Sequence, residues 1–123
     1  AYEHAGLGPD DMDVAEVHDA SAMGEILQSE NLGLVPPGGG GLAAERGEFT
    51  LGGRIPINPS GGLESKGHPL GATGIGQLFE LVTQLRGEAG ARQVKGARHA
   101  IQENGGGLQG VEEAAVAIHI LSR

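Results

Sequence analysis

His68 stands between Gly67 and Pro69 in the run Asn58-Pro59-Ser60-Gly61-Gly62-Leu63-Glu64-Ser65-Lys66-Gly67-His68-Pro69-Leu70-Gly71-Ala72-Thr73-Gly74. Glycine loses much backbone entropy on ordering and proline has no N–H to donate, so this run is poor material for a helix or strand. It is kept for the shape of its loop. The residues after it read as a helix, whose N-terminus brings a positive dipole end to the same space. An imidazole fixed there can donate Nε2–H to an oxygen on which negative charge develops. It can also draw a neighbouring thiol towards thiolate.

His18 is the second candidate. It follows Val14-Ala15-Glu16-Val17, a short strand, and precedes a helix, the place where α/β folds bind ligands. A plainer reading has Asp19 or Ser21 capping that helix with His18 incidental. Two histidines also raise a metal site, but no third ligand has metal-like spacing, and none is expected. Gly105-Gly106-Gly107 either presents backbone N–H groups to an anion or turns a hairpin. His4, His99 and His119 fall on regular elements and read as structural. Lys66, Lys95 and the Glu112-Glu113 pair read as solvated.

The elements that must hold these residues follow from the spacing. Tyr2 to Leu7 ends a helix at Gly6 or Gly8, and Pro9-Asp10-Asp11 makes a turn. Met23, Ile26 and Leu27 recur at helical spacing between Ser21 and Asn31. Pro36-Pro37 and Gly38 to Gly41 mark a loop, and Phe49 to Ile57 continues as an extended or hairpin-like stretch. From Ala72 to Arg86, Ile75, Leu78, Leu81, Val82 and Leu85 predict one buried stripe on a helix ended by Gly87. Ala97 to Gln102 and Ala114 to Leu121 read as strands, with a tight, side-chain-free approach at Gly105 to Gly107 between them.

Composition bounds the rest. The chain has 123 residues, long enough for one domain or part of one, and its formal net charge is -8. Nucleic acid and anionic membrane surfaces are therefore not expected partners. The chain contains no cysteine, which removes disulfides, thiolate metal sites and a cysteine nucleophile from these residues. No apolar run approaches the ~20 residues needed to cross a bilayer. The expected setting is soluble and cytoplasmic.

Taken in order, these pieces resemble the C-terminal half of a thiolase, and within that superfamily the sterol-carrier-protein (nonspecific lipid-transfer) type. The resemblance rests on His18-Asp19 with Glu25 downstream, Asn58 to Gly62, Gly67 to Gly74, Gln84 to Gly90 with Arg92-Gln93-Val94, and Gln102 to Asn104. It covers nearly the whole chain, read as one thiolase C-terminal-like domain over residues 1–123. It implies an α/β fold, a mixed sheet covered by helices, whose five strands place the first two between the third and fourth. The chain starts after those strands, so a sheet incomplete without an upstream segment is expected.

The resemblance also implies a site. His68 would help activate a nucleophilic cysteine and line an oxyanion hole, with His18 opposite. Gly105 would contribute a backbone amide, and Asn58, Gly67 and Gly106 would join it at the substrate. The nucleophile would belong to an N-terminal half, on the same or another chain. Two departures stand out. Ala20 replaces a cysteine that lipid-transfer thiolases carry after His-Asp, and Glu103 or Asn104 replaces the acid/base cysteine of classical thiolases.

Acyl-CoA is the implied substrate, coenzyme A the implied cosubstrate, and no covalently bound cofactor is expected. The reaction is acyl transfer or carbon–carbon cleavage, with Glu103 a substitute base if it points inward. One alternative is a thiolase-like subunit of a retro-aldolase, in a homo- or hetero-oligomer that includes an OB-fold partner. Others are a non-catalytic interaction subunit and an acyl-chain binding module.

Overall fold

The computed structural model describes residues 1–110 and 112–123. Helix α1 spans Tyr2–Ala5 and stops at Gly6, whose φ of 67° is the left-handed conformation that glycine adopts freely. A 3₁₀ turn at Pro9–Asp11 leads to strand β1, Val14–Glu16. Helix α2, Ala22–Asn31, begins where the Ser21 hydroxyl accepts from the Gly24 amide, and α3 spans Gly40–Glu45. Then come α4, Gly62–Lys66, and α5, Thr73–Arg86, followed by β2, His99–Gln109, and β3, Glu112–Ser122.

The sheet is mixed. β1 lies parallel to β2, with Val14, Ala15 and Glu16 opposite Ala100, Ile101 and Gln102, while β2 and β3 pair antiparallel. Ile57 adds a parallel bridge to Ala15 on the far side of β1. The expected gap in the middle of the sheet is thereby corrected: β1 is hydrogen-bonded directly to β2, and β3 is an edge strand.

Alternation along the strands serves two cores. Ala15, Val17 and Ile101 face a cluster with Leu32, Leu34, Phe49 and Ile55. Val14 and Ala100 face the other side, with Leu81 and Leu85 of α5 and Val94. Helices thus cover both faces, as the α/β expectation requires.

Several local expectations are corrected. The glycines after Pro37 do not stay a loop, since Gly40 opens α3; there a Cβ would crowd Ile26, so the glycine lets α3 lie against α2. Phe49 to Ile57 forms successive turns, with only Ile57 joining the sheet. Gly105 to Gly107 lie inside the longer β2, and Gly105 and Gly106 pair with Val116 and Ala115.

The apolar stripe of α5 is buried only at Leu81 and Leu85. The rest of its covered face is polar, Gln77, Glu80 and Gln84, because side chains and backbone groups of β2 and of the 92–94 segment meet it there. Ile75 and Phe79 are 67% and 71% exposed.

Candidate functional site

The loop that carries His68 is tied down at both ends of α4. Below it, Glu16 is fully buried and accepts from the Ser60 amide at 3.0 Å and the Ser60 hydroxyl at 2.8 Å. Burial pushes the Glu16 carboxyl above the usual range, and the Lys66 ammonium 3.5 Å away opposes that shift. Lys66 is exposed, as expected from the sequence, yet its ammonium turns in to pair with this buried carboxylate. Beside it, Asp19 Oδ1 accepts the Leu63 N–H at 2.7 Å. Gly62 has φ +60°, and a Cβ there would overlap the Asp19 carboxylate, so only glycine suits this approach. Helix α4 ends at Gly67, φ +88°, and the Pro69 carbonyl accepts from the Ala72 and Thr73 amides as α5 starts.

This bracing sets His68 against His18. Their rings stand edge to face, with centroids 4.9 Å apart and planes at 82°. Asn104 Nδ2 donates to the Gly105 carbonyl at 3.2 Å, which turns its Oδ1 towards His18 Nδ1 at 3.4 Å. An amide oxygen only accepts, so the tautomer that suits this contact has N–H at His18 Nδ1, with Nε2 on the cavity side as the second ring nitrogen.

His68 Nδ1 lies 2.7 Å from the Thr73 hydroxyl, which also reaches the Pro69 carbonyl at 3.3 Å. That hydroxyl has one proton and can turn. Placed on Nδ1, it makes His68 Nε2–H a donor; placed on Pro69, it makes His68 Nε2 a base.

Both rings open on a cavity of about 820 Å³ lined by His18, His68, Thr73, Asn104, Gly105, Gly106 and apolar side chains of α5. The N-termini of α2 and α5 converge on it, and Gly74 allows α5 to approach Asn104, which would lie 3.3 Å from a Cβ there. Two positive dipole ends favour negative charge at this point.

The remaining candidates are placed elsewhere. Asn58, with φ +51°, accepts from the Val17 amide at 2.9 Å and donates to Glu25 at 3.1 Å, bracing the end of β1 against α2. Gly67 shapes the loop but does not line the cavity. Glu103 is 1% exposed and does not line the cavity either; its Oε2 accepts the His18 N–H at 3.0 Å. Its Oε1 has no partner among the described residues, and burial, with the nearby Glu113 charge, pushes its carboxyl upward.

Two cavity residues escaped the sequence reading. His119 lies on the cavity face of β3, two residues from Ala117, which pairs with Asn104. The alternation set Val116, Ile118 and Ile120 on one side and small residues with His119 on the other, without showing what covers the side of His119. Of the expected solvated pair, the Glu112 side chain lies outside the described residues. Glu113 lines the cavity and accepts from Gln28 at 3.4 Å, its carboxylate occupying the space that a Cβ on Gly105 would fill.

With the geometry in place, the comparisons identify the family. The thiolase C-terminal domain-like family matches residues 1–123. The chain belongs to it.

Sterol carrier protein 2 of Rattus norvegicus is 60% identical over 103 residues, 84% of this chain and 19% of that protein. Acetyl-CoA acetyltransferase of Methanothermobacter thermautotrophicus is 52% identical over all 123 residues, 31% of its length. Among solved structures, the Ltp2-ChsH2(DUF35) aldolase aligns with a TM-score of 0.75 at 25% identity, covering 83% of this chain and 26% of that chain. The chain thus spans between about a fifth and a third of the curated relatives named here. Among the described residues, no helix is long and apolar enough to cross a membrane.

Proposed function

We propose that this thiolase domain supplies half of an acyl-CoA site in which His18 and His68 act on the thioester carbonyl. The observation that carries this reading is the edge-to-face histidine pair at the cavity, each ring held at Nδ1 and free to use Nε2. Thiolysis, condensation and retro-aldol cleavage of acyl-CoA all pass through a thioester enolate. His68 Nε2–H, with the Thr73 proton on Nδ1, binds the developing oxyanion, and two helix N-termini add to its stabilisation. His18 Nε2 accepts or returns the proton. Glu103 holds the His18 backbone as a positioning residue.

The acyl-transfer nucleophile would come from an N-terminal thiolase half, on the same or another chain, since the relatives are longer than the part matched. The exposed Ile75 and Phe79 of α5 offer it apolar side chains.

A second reading is favoured by one observation, the absence of any cysteine from this chain. In retro-aldol cleavage, His18 Nε2 takes the proton of a β-hydroxyl and the Cα–Cβ bond breaks to leave a carbonyl product. The electron pair enters the thioester enolate at His68, and protonation of the enolate carbon gives the shortened acyl-CoA. No thiol is required. The likeness to an aldolase supports it; on this reading the assembly includes an OB-fold partner and the setting is cytoplasmic.

The test is an assay of the full assembly on a 3-ketoacyl-CoA with free CoA and, separately, on a β-hydroxyacyl-CoA. Thiolysis supports acyl transfer and cleavage of the hydroxy substrate supports the aldolase reading. Inactivity on both leaves an interaction subunit.

A further inference from the structure

His119 is the cavity histidine left unused by that chemistry, and its ring is oriented by a relay whose polarity can be read without seeing a proton. The relay starts from the backbone carbonyl of Glu103, which can only accept. Gln77 Nε2 donates to it at 3.0 Å, leaving Gln77 Oε1 as the acceptor end of that amide. Gln102 Nε2 therefore donates to Gln77 Oε1, at 2.8 Å, and turns its own Oε1 towards His119 Nδ1, at 2.6 Å. That oxygen only accepts, so His119 must carry a proton on Nδ1.

Gln77 and Gln102 are 0% and 1% exposed, so the relay is locked inside the fold rather than chosen by solvent. Among the described residues, Nε2 has no partner, and the ring lines the cavity with the apolar Ile75, Leu78 and Ala117.

The strand register places this nitrogen. Gln102 pairs with His119, and Asn104, which holds His18, pairs with Ala117. Two residues on a strand separate the stations by about 7 Å. An acyl chain with its thioester carbonyl at His18 and His68 that follows β2 towards Gln102 would pass His119 a few carbons further on.

We propose that His119 reads an oxygen function, a hydroxyl or a carboxylate, on the acyl chain of the CoA thioester, so that oxygenated acyl groups are preferred over plain ones. This inference rests on the acyl-CoA reading above. Neutral Nε2 accepts from a hydroxyl, whereas the imidazolium donates to a carboxylate; both use the same fixed nitrogen.

Calorimetric titration of the full assembly with hexanoyl-CoA, ω-hydroxyhexanoyl-CoA and adipoyl-CoA tests it, since these thioesters differ only at the far end. One oxygenated thioester should bind about tenfold tighter than hexanoyl-CoA, the worth of a single well-placed hydrogen bond. A preference for the hydroxy compound identifies neutral His119, and one for adipoyl-CoA identifies the imidazolium.

His119→Asn keeps a donor for Gln102 at the Nδ1 position but lacks Nε2, so the Kd ratio should fall to near one. His119→Gln, which reaches the Nε2 position, should recover part of it. Equal affinities for all three thioesters in the unsubstituted protein, or an undiminished ratio in His119→Asn, overturn the role of His119 alone. Failure of every thioester, hexanoyl-CoA included, to bind overturns the acyl-CoA reading and this inference with it.

Discussion

Gly62→Ala is the sharpest test of how the histidine loop is held. Gly62 has φ +60°, where an L side chain costs about 1–2 kcal/mol. The new Cβ would overlap the carboxylate of Asp19, which is buried and accepts the Leu63 N–H at 2.7 Å. Moving that carboxylate breaks a charge-assisted bond of about 1.5–3 kcal/mol. The expected loss is therefore about 2.5–5 kcal/mol, a large part of the 5–15 kcal/mol that typically holds a domain together.

Urea denaturation of the full chain measures the loss, and a cycle with Asp19→Ala apportions it. Asp19→Ala already lacks the bond and opens the space, so Gly62→Ala in that background should cost only the backbone share. The two substitutions should thus couple by about 2 kcal/mol. An equal cost of Gly62→Ala in both backgrounds would show that Asp19 does not hold the loop.

His68→Ala should lower turnover of the active assembly on the order of a hundredfold, as loss of one oxyanion donor does; unchanged turnover with intact folding removes His68 from the mechanism. Thr73→Val removes the hydroxyl that sets the His68 tautomer and should cost roughly tenfold, with a changed pH–rate profile as its distinguishing readout. Glu103 has its carboxyl raised by burial, so the protonated form is favoured in the fold. Its stabilising share is present below the unfolded value of about 4.3 and is lost as pH rises through the folded value. Glu103→Gln should consequently raise the melting temperature at neutral pH by more than it does near pH 4, and a pH-independent effect would contradict the burial argument. Robust thiolysis abolished in Glu103→Gln would instead make Glu103 the base that replaces the missing thiols.

What the sequence disclosed and what it hid follow a physical division. The turn from β1 to His18 and the cap at Ser21 depend on neighbours within a few positions, as do the glycine-framed turn at Gly67-His68-Pro69 and the stop of α5 at Gly87, and these were legible; helix α4, Gly62–Lys66, inside the run read as loop, was not. The polar underside of α5 was not. Gln77, Glu80 and Gln84 look like a solvated face until Gln102, the Arg92 guanidinium and the Val94 amide arrive from residues 10 to 25 positions away.

The same long-range pairing hid His119. Its partner is set by the β2–β3 register, and the glycines that seemed to end β2 in fact continue it. Burying amides rather than leucines under α5 has a consequence for the site. Each buried amide must meet a donor or acceptor of the correct sense, so the Glu103 carbonyl fixes Gln77, then Gln102, then the proton on His119. On the opposite face of β2, the Glu103 carboxyl group holds the His18 backbone. Both histidines thus take their orientation from the same short stretch of β2, and a shift in its register would disturb them together.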